Sequence, residues 1–563
     1  MTAVVTRDDH DAVARRRPRP VTILAVLAVA LVAGALVWNS WQAVRQGWVA
    51  EGDAAIIAVR THDVFSAHPP LLGNPSTASD AAKQNAYHPG PIEFALLAVP
   101  LRVFGPGTNG LVWGTCAIEI AAVAVLAWFA RRRRGPTFVI WTMAMTLVLV
   151  WGLGNEIPHD PYNPHVVLLP MFVLLVLAWS LACGDLVALP VAVAVASLIA
   201  QSHVYDGLFV ALVALAIVVA LVVHFRRGAR EERTRILRWA GASAVLGFVL
   251  WLPPIVYELT HRPGNFSALL SSARSPDSRG EGVTFAAHRL VDALAPPWRW
   301  LDGQPTFVEL HSSPGGGRTV VAVVILAAMV AAGVLAWRAR RRVTSLLLGT
   351  AVFALAVSFA VAARLPRGLA SLSPYNHRHW WITGVFAFVA LGWGAYDLAR
   401  TRRRVRAASP VVAACGVAVV AVLAVAVGAH VTIKDDRGSA SFGAIRALTP
   451  PVVAAVDGRQ VLVTSIGAQA FTSIEPGLVA MLIDHGVDAR VLASEGNVFG
   501  AHHVGDASIP THLYIVSGAG VDQAPATGAR LIGRYDARAD AQRGFANAGV
   551  GAAEPIAVYL VTA

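Results

Sequence analysis

The sequence predicts an α-helical polytopic membrane protein of about eleven transmembrane helices, ending in an extracytoplasmic α/β domain. Three observations predict it. Of 563 residues, 56% are hydrophobic and only 14% charged, with mean hydropathy +0.57, where a soluble chain carries nearer a quarter charged. Apolar runs of near-membrane length recur between residues 21 and 429, separated by short arginine-rich clusters. Beyond residue 430 the apolar runs shorten to strand length.

The first element is a basic tail, residues 1–20, ending in "RRRPRP". The run "VTILAVLAVALVAGALVW" follows it without a small-residue cleavage site, so it reads as a signal anchor and first span. The spans then fall at about 21–39, 110–130, 137–153, 165–183, 187–202, 206–225, 239–258, 319–337, 345–362, 380–398 and 410–429. Each is near the length that a helix needs to cross a hydrocarbon core of about 30 Å, two or three being short. Arginine sets the orientation. With eleven spans, "RRRPRP", "RRRR" (131–134), "RRGAREERTR" (226–235), "RARRR" (338–342) and "RTRRRVR" (400–406) all become cytoplasmic. Lysine occurs only at Lys83 and Lys434, so the net charge of +12 is an arginine topology signal and no nucleic acid is implied. Cys116, Cys183 and Cys415 lie inside apolar runs, which excludes an extracytoplasmic disulfide framework.

Between the first two spans lies a long external loop, about 40–109, that contains "YHPGPIEFALLAVPLRVFG" (87–105). As a twelfth span, residues 91–104 would move every later arginine cluster to the outer face. At a rise of about 1.5 Å per residue they reach only about 21 Å, with "HPGP" and "GPG" as breakers. This stretch is expected to lie at the outer interface. The same loop holds "WVAEGDAAIIAVRTHDVFSAHPPLLG", with Glu51 and Asp53 just past the first span. Carboxylates at i and i+2 converge when the backbone is extended or turning. One can then act as a general base toward a hydroxyl, or both can hold a divalent cation. The plainer alternative is a pair of solvated loop acids.

An acidic residue after the first span, a helical stretch, and a proline-rich "HPGPIEFALLAVPLRVFG" before the second span resemble the first loop of GT-C glycosyltransferases, among them protein O-mannosyltransferases and aminoarabinose transferases. The wording "RTHDVFSAHPPLLGNPS … YHPGPIEF" also resembles actinobacterial membrane proteins similar in outline to arabinofuranosyltransferases. The likeness covers residues 21 to about 225. It implies a GT-C-like module over 21–429 and a polyprenyl-phosphate sugar donor, with Asp53 as the base that deprotonates an acceptor hydroxyl, and with inversion at the anomeric carbon. The "EGD" here replaces the usual "DE", which leaves Glu51 as the alternative base.

Other external loops bring polar groups to the same face. "GNEIPHDPYNPH" supplies Glu156, His159, Asp160, Tyr162, Asn163 and His165; the resemblance makes Asp160 the first candidate for a metal or sugar contact, and a turn or cap is the alternative. "QSHVYDG" adds His203, Tyr205 and Asp206, the last read as a helix cap. "RLPRGLASLSPYNHRHWW" places Arg364, Arg367 and Arg378 outside, against the positive-inside tendency, with His377 and His379 beside them. Binding a lipid phosphate is a reason for that violation, because the guanidinium fork suits phosphate; contact with membrane-lipid headgroups is the alternative. Trp380 and Trp381 read as an interfacial belt. His88 in the first loop is a candidate substrate contact or a turn stabiliser. Glu119, mid-span, marks a protein-lined cavity or a helix pairing. Residues 259–318, rich in Ser, Gly and Pro, read as a partly ordered lid or a linker.

Residues 430–563 form the last unit. "RQVLVTS", "DARVLA", "THLYIVSG", "ARLIGRY" and "IAVYLVTA" read as strands, and "AQAFTSIEPGLVAMLIDHG" as a helix between the first two. No glycine-rich phosphate loop is present, and "HH" (502–503) and "DARAD" (536–540) read as surface features. The whole implies a membrane glycosyltransferase moving a pentose such as arabinofuranose, or a hexose such as mannose, to a cell-envelope glycan, lipid or protein acceptor. One rival is a transporter or flippase of lipid-linked saccharide, which an inverted internal repeat would favour and which is not visible here. The other is a noncatalytic envelope-glycan-binding protein, indifferent to Asp53→Asn.

Overall fold

The computed structural model describes residues 20–105, 107–154, 158–275, 279–301, 313–402, 410–429, 439–468, 470–536 and 554–562. In chain order its helices are α1 (Pro20–Arg45), α2 (Gly52–Asp63), α3 (Ala78–Ala82), α4 (Ile92–Val103), α5 (Asn109–Arg134), α6 (Pro136–Leu153), α7 (Asn163–Val166), α8 (Leu168–Ala182), α9 (Ala188–Ser202), α10 (Asp206–Arg227), α11 (Arg230–Thr260), α12 (Asn265–Arg274), α13 (Val283–Leu294), α14 (Gly316–Arg338), α15 (Arg342–Arg364), α16 (Leu369–Leu372), α17 (His379–Arg402), α18 (Pro410–Ala429) and α19 (Ser439–Val456). Strands β1 (Val461–Ile466), β2 (Ala489–Arg490), β3 (Thr511–Ser517), β4 (Arg530–Tyr535) and β5 (Ile556–Thr562) follow, with α20 (Glu475–Asp484) between β1 and β2 and α21 (Gly496–Phe499) before β3.

Ten of these helices, counting α7 and α8 as one, are long and apolar enough to cross a membrane among the described residues. The eleventh expected span is α9, at fifteen residues only about 22 Å long. Its ends show that it crosses nonetheless. Just ahead of it, Asp185 takes Arg132 in a two-pronged pair (3.0 and 2.9 Å) and Arg133 at 2.9 Å, all at the arginine-bearing end of α5. At its other end the Ser202 carbonyl accepts the Asn163 amide from the start of α7 (2.9 Å). The chain is thus a multi-pass membrane protein with an arginine face and an opposite, loop-bearing face. The arginine face is also tied by Arg341 on Asp397 (2.6 Å) and His224 on the Ala182 carbonyl (3.1 Å).

Composition sorts the helices within the bundle. Helix α8 is apolar all round and buried, as a central helix must be, and packs with α5, α9, α10, α15 and α17. Helices α10, α11, α14 and α18 instead leave Val218, Val249, Val323 and Val422 exposed, the dressing of a lipid-facing surface.

Helix α4, from the ambiguous stretch of the first loop, does not cross. Glu93 at its start sits by Ser202. At its far end Arg102 donates to the His62 carbonyl (3.1 Å), Phe104 stacks on Trp113, and the following Gly107 N–H donates to Asp484 of α20. Neither end reaches the arginine face.

The C-terminal strands form one sheet in the order β2-β1-β3-β5-β4, parallel at β2-β1 and β1-β3 and antiparallel beyond. All five expected strands are present. Helix α19 precedes them, in a segment whose Pro450 and Pro451 gave no helical signal. The core under this sheet, with Val461, Val463, Leu478 and Leu513, is continuous with Ile57 of α2 and Phe94 and Leu97 of α4. The first loop and the α/β unit therefore fold on each other.

Candidate active site

The polar residues of the loop-bearing face are built outward from helix ends. The chain leaves α1, and Ala50 N–H donates to the Thr108 hydroxyl (2.8 Å). Glu51 is extended (φ −132°, ψ 162°), and Gly52 turns the backbone with φ +47° into α2. A side chain at Gly52 would be strained in this left-handed region and would stand 3.3 Å from the Thr472 carbonyl. Glu51 is half-buried, and Asp53, in the first turn of α2, is exposed.

Asp53 is joined to the rest through backbone. Its carbonyl takes the Asn74 amide (3.4 Å), and the Asn74 carbonyl takes the His88 N–H (2.8 Å). His88 Nδ1 accepts the Val204 N–H (3.0 Å), so the proton of this imidazole is on Nε2. Burial, and after it the neighbouring His203, hold the His88 imidazole well below its usual range. The rings lie 5.4 Å apart. His88 thus fixes the loop before α10, whatever it does toward a ligand.

His203 Nδ1 in turn meets Asp206 Oδ2 at 2.9 Å. Asp206 was expected as a cap; α10 has no side-chain cap bond, and the carboxylate instead holds this imidazole. Glu93, buried at the start of α4 beside Ser202, is a residue of the first loop that no motif singled out. Burial pushes the Glu93 carboxyl well above the usual range; the Ser202 hydroxyl opposes this and the Asp160 charge adds to it.

Asp160 does two things. One oxygen closes a turn by accepting the Tyr162 N–H (3.0 Å), and the other meets His165 Nδ1 at 2.9 Å. His165 Nε2 faces Arg378 at 3.4 Å. A guanidinium only donates, so His165 accepts there and gives its Nδ1 proton to Asp160. The acid, imidazole and arginine form one relay, with Tyr162 edge-on to both His165 and Tyr375. His159 is anchored separately, its Nδ1 2.6 Å from Asn39 Oδ1 at the end of α1.

The structure thus joins Asp160 to Arg378 through His165 and, in a second set, ties the Asp53 carbonyl through Asn74 to His88, while His159 is held by Asn39. His377 is buried nearby, edge-on to Phe285 and close to Trp381. Arg364 and Arg367 do not join them. Both side chains are exposed, and their segment pairs its backbone with the chain at 279–282: Arg367 N–H to Arg279 (3.1 Å), and Glu281 and Gly282 N–H to Leu365 and Ala363 (both 3.0 Å). Glu156 lies outside the described residues. Trp380, expected in an interfacial belt, is instead 2% exposed and packed inside the bundle. Glu119 is buried in α5, in the core shared with α1 and α8.

At the start of the segment before α14, helix α12 packs on the first loop through α3. Asn265 grips Tyr87 from both sides, Tyr87 N–H to Oδ1 (2.9 Å) and Nδ2 to the Tyr87 carbonyl (3.1 Å). The histidine pair 502–503 is also no loose surface feature: both rings meet Asp63 of α2.

No protein-family model matches the chain. No curated protein matches it either. Among solved structures it is similar to ArnT from Cupriavidus metallidurans bound to undecaprenyl phosphate, with a TM-score of 0.54 and 15% identity over 96% of this chain and 97% of that one. The apo state of the same protein gives 0.53 and 14% over the same shares. The oligosaccharyltransferase AglB from Archaeoglobus fulgidus, in complex with an inhibitory peptide and a dolichol-phosphate, gives 0.41 and 12% over 88% of this chain and 69% of that one. The ArnT likeness runs through bundle, first loop and α/β unit alike. Over nearly its whole length the chain has the fold of ArnT.

Proposed function

We propose that the chain is a membrane glycosyltransferase that moves a sugar, a pentose such as arabinofuranose or a hexose such as mannose, from a polyprenyl-phosphate donor to an extracytoplasmic cell-envelope acceptor. The observation that carries this reading is the end-to-end likeness in fold to a protein bound to undecaprenyl phosphate. The loop-bearing face is then the outer face, with the amino terminus cytoplasmic and the α/β unit of residues 430–563 outside.

In this reading Asp53, with Glu51 as the alternative, takes the proton of an acceptor hydroxyl. The hydroxyl oxygen bonds to the anomeric carbon as the bond from that carbon to the phosphate oxygen breaks, and the electron pair leaves on polyprenyl phosphate. Attack from the face opposite the phosphate inverts the centre. Asp53 suits the part because its carboxylate is exposed in the first turn of α2, where an acceptor can reach it. Arg378 is the phosphate-facing candidate, aimed by the Asp160–His165 pair. Neutral His165 leaves the guanidinium charge uncancelled by that contact.

The test is sugar transfer by purified protein from candidate polyprenyl-phosphate sugars, comparing the native chain with Asp53→Asn and Glu51→Gln. A loss of about 10²-fold or more in turnover is expected for the variant that removes the base. Equal transfer by all three refutes the assignment.

A further inference from the structure

Asp63, His502 and His503 are 439 residues apart in the chain yet meet at one point. His502 Nε2 lies 3.0 Å and His503 Nε2 3.2 Å from the same carboxylate atom, Asp63 Oδ1. The three ligand atoms lie within 4.8 Å of one another. In a tetrahedral zinc site with bonds of about 2.0–2.1 Å, neighbouring ligand atoms stand about 3.3 Å apart. The two imidazole-to-carboxylate separations need to open by only a few tenths of an ångström, and the two imidazole nitrogens already lie within 4.8 Å of each other.

We propose that Asp63, His502 and His503 bind a zinc-class divalent ion that fastens the first loop to the α/β unit. Two imidazoles and one carboxylate are a ligand set that suits zinc and its first-row neighbours, and is unsuited to calcium or magnesium. Three protein ligands leave a position for water.

The surroundings supply the rest of what such a site needs. Asp63 is buried at the end of α2, and both imidazoles reach it from the α/β unit. The ligands are also held from behind. Arg60 reaches Asp63 Oδ2 at 3.7 Å and donates to the Phe499 carbonyl (3.2 Å), His68 stacks on His502 at 4.7 Å, and Arg490 donates to the His502 carbonyl. Arg60 carries a positive charge close to the site, which lowers the affinity for a cation without occupying a ligand position.

The site is separate from the proposed base. Asp53 opens α2 and Asp63 closes it, ten residues and about 15 Å apart along the helix. The ion braces the helix that carries the base.

The experiment uses the full chain, free of any histidine tag, in detergent, stripped with chelator and then titrated with Zn²⁺ and with Co²⁺. The native chain is expected to retain one equivalent of Zn²⁺ beyond that retained by a His502→Gln/His503→Gln double variant. It is also expected to give the visible absorption of low-coordinate Co²⁺, and to unfold at a higher temperature with Zn²⁺ than without. In His503→Gln, which keeps the Asp63–His502 contact, affinity should fall by at least about 100-fold, more than loss of an outer-shell partner costs. Retention of the same zinc by the double variant, or no saturable zinc in the native chain, overturns the proposal. None of these readouts depends on sugar transfer, so the two readings fail separately.

Discussion

Gly110 tests the placement of α4 most directly. It opens α5 where α4 lies across it, and a Cβ there would stand 2.3 Å from Leu101 Cα, 2.6 Å from the Pro100 carbonyl and 2.8 Å from Leu101 N. All three are backbone atoms, so no side chain can swing aside. Restoring an ordinary separation of about 3.4 Å requires α4 to retreat by about 1 Å, and α4 is held by Phe94, Leu97 and Leu101 in the core shared with the α/β unit. Overpacking costs roughly 1–3 kcal/mol, and a backbone clash belongs at the upper end. At about 1.4 kcal/mol per factor of ten, Gly110→Ala should shorten the half-life at a fixed denaturing temperature by up to about 100-fold. The comparison is Gly34→Ala in α1, where a Cβ meets nothing within 4 Å, and where alanine favours the helix by about 1 kcal/mol. Thermal inactivation followed by size-exclusion fluorescence on both variants is the assay. If Gly110→Ala survives as well as Gly34→Ala, α4 does not lie against α5 as described.

Two further outcomes follow from other parts of the molecule. In the α/β unit burial pushes the Glu475 carboxyl up to about 8, the Ser465 hydroxyl opposing and Glu495 adding to the shift. A raised folded-state value means that stability is highest below the unfolded value of about 4.3 and is lost as pH rises toward about 8. The melting temperature should therefore fall across that window in the native chain, and fall less in Glu475→Gln. For orientation, Ser66→Cys and Arg226→Cys are both exposed sites in a chain cleared of Cys116, Cys183 and Cys415. An impermeant maleimide on intact cells should label the first and spare the second; the reverse pattern inverts the proposed topology.

Arginine clusters and run lengths were sufficient to read the bundle, because both are imposed locally by the bilayer. Even α9, short by composition, was recoverable from the parity of charges around it. The five strands were legible as short apolar runs. Helix α19 was not, since its two prolines mimic a break. In the candidate site, Asp53, His88, Asp160 and Arg378 stood out as polar residues in loops at one membrane face. Their connections did not. Glu93 is a single acid in an apolar helix, and only burial beside Ser202 gives it a role. The pairing of Asp63 with His502 and His503 spans almost the whole chain, a distance at which spacing carries no information. Arg364 and Arg367 shared a loop with Arg378 but not its surroundings, because the chain at 279–282 turns their segment aside.

The core common to the first loop and the α/β unit also sets an order of manufacture. Helices α2 and α4 emerge early in synthesis, with Ile57, Phe94 and Leu97 facing a partner that is not yet made. That partner is completed only when β5, at residues 556–562, has been translated. Until then the proposed base stands on a helix with one side open to water. A chain interrupted before its last strand would insert all its membrane helices and still lack a finished first loop. The closing strand of the sheet thus acts as a completion check on the first loop.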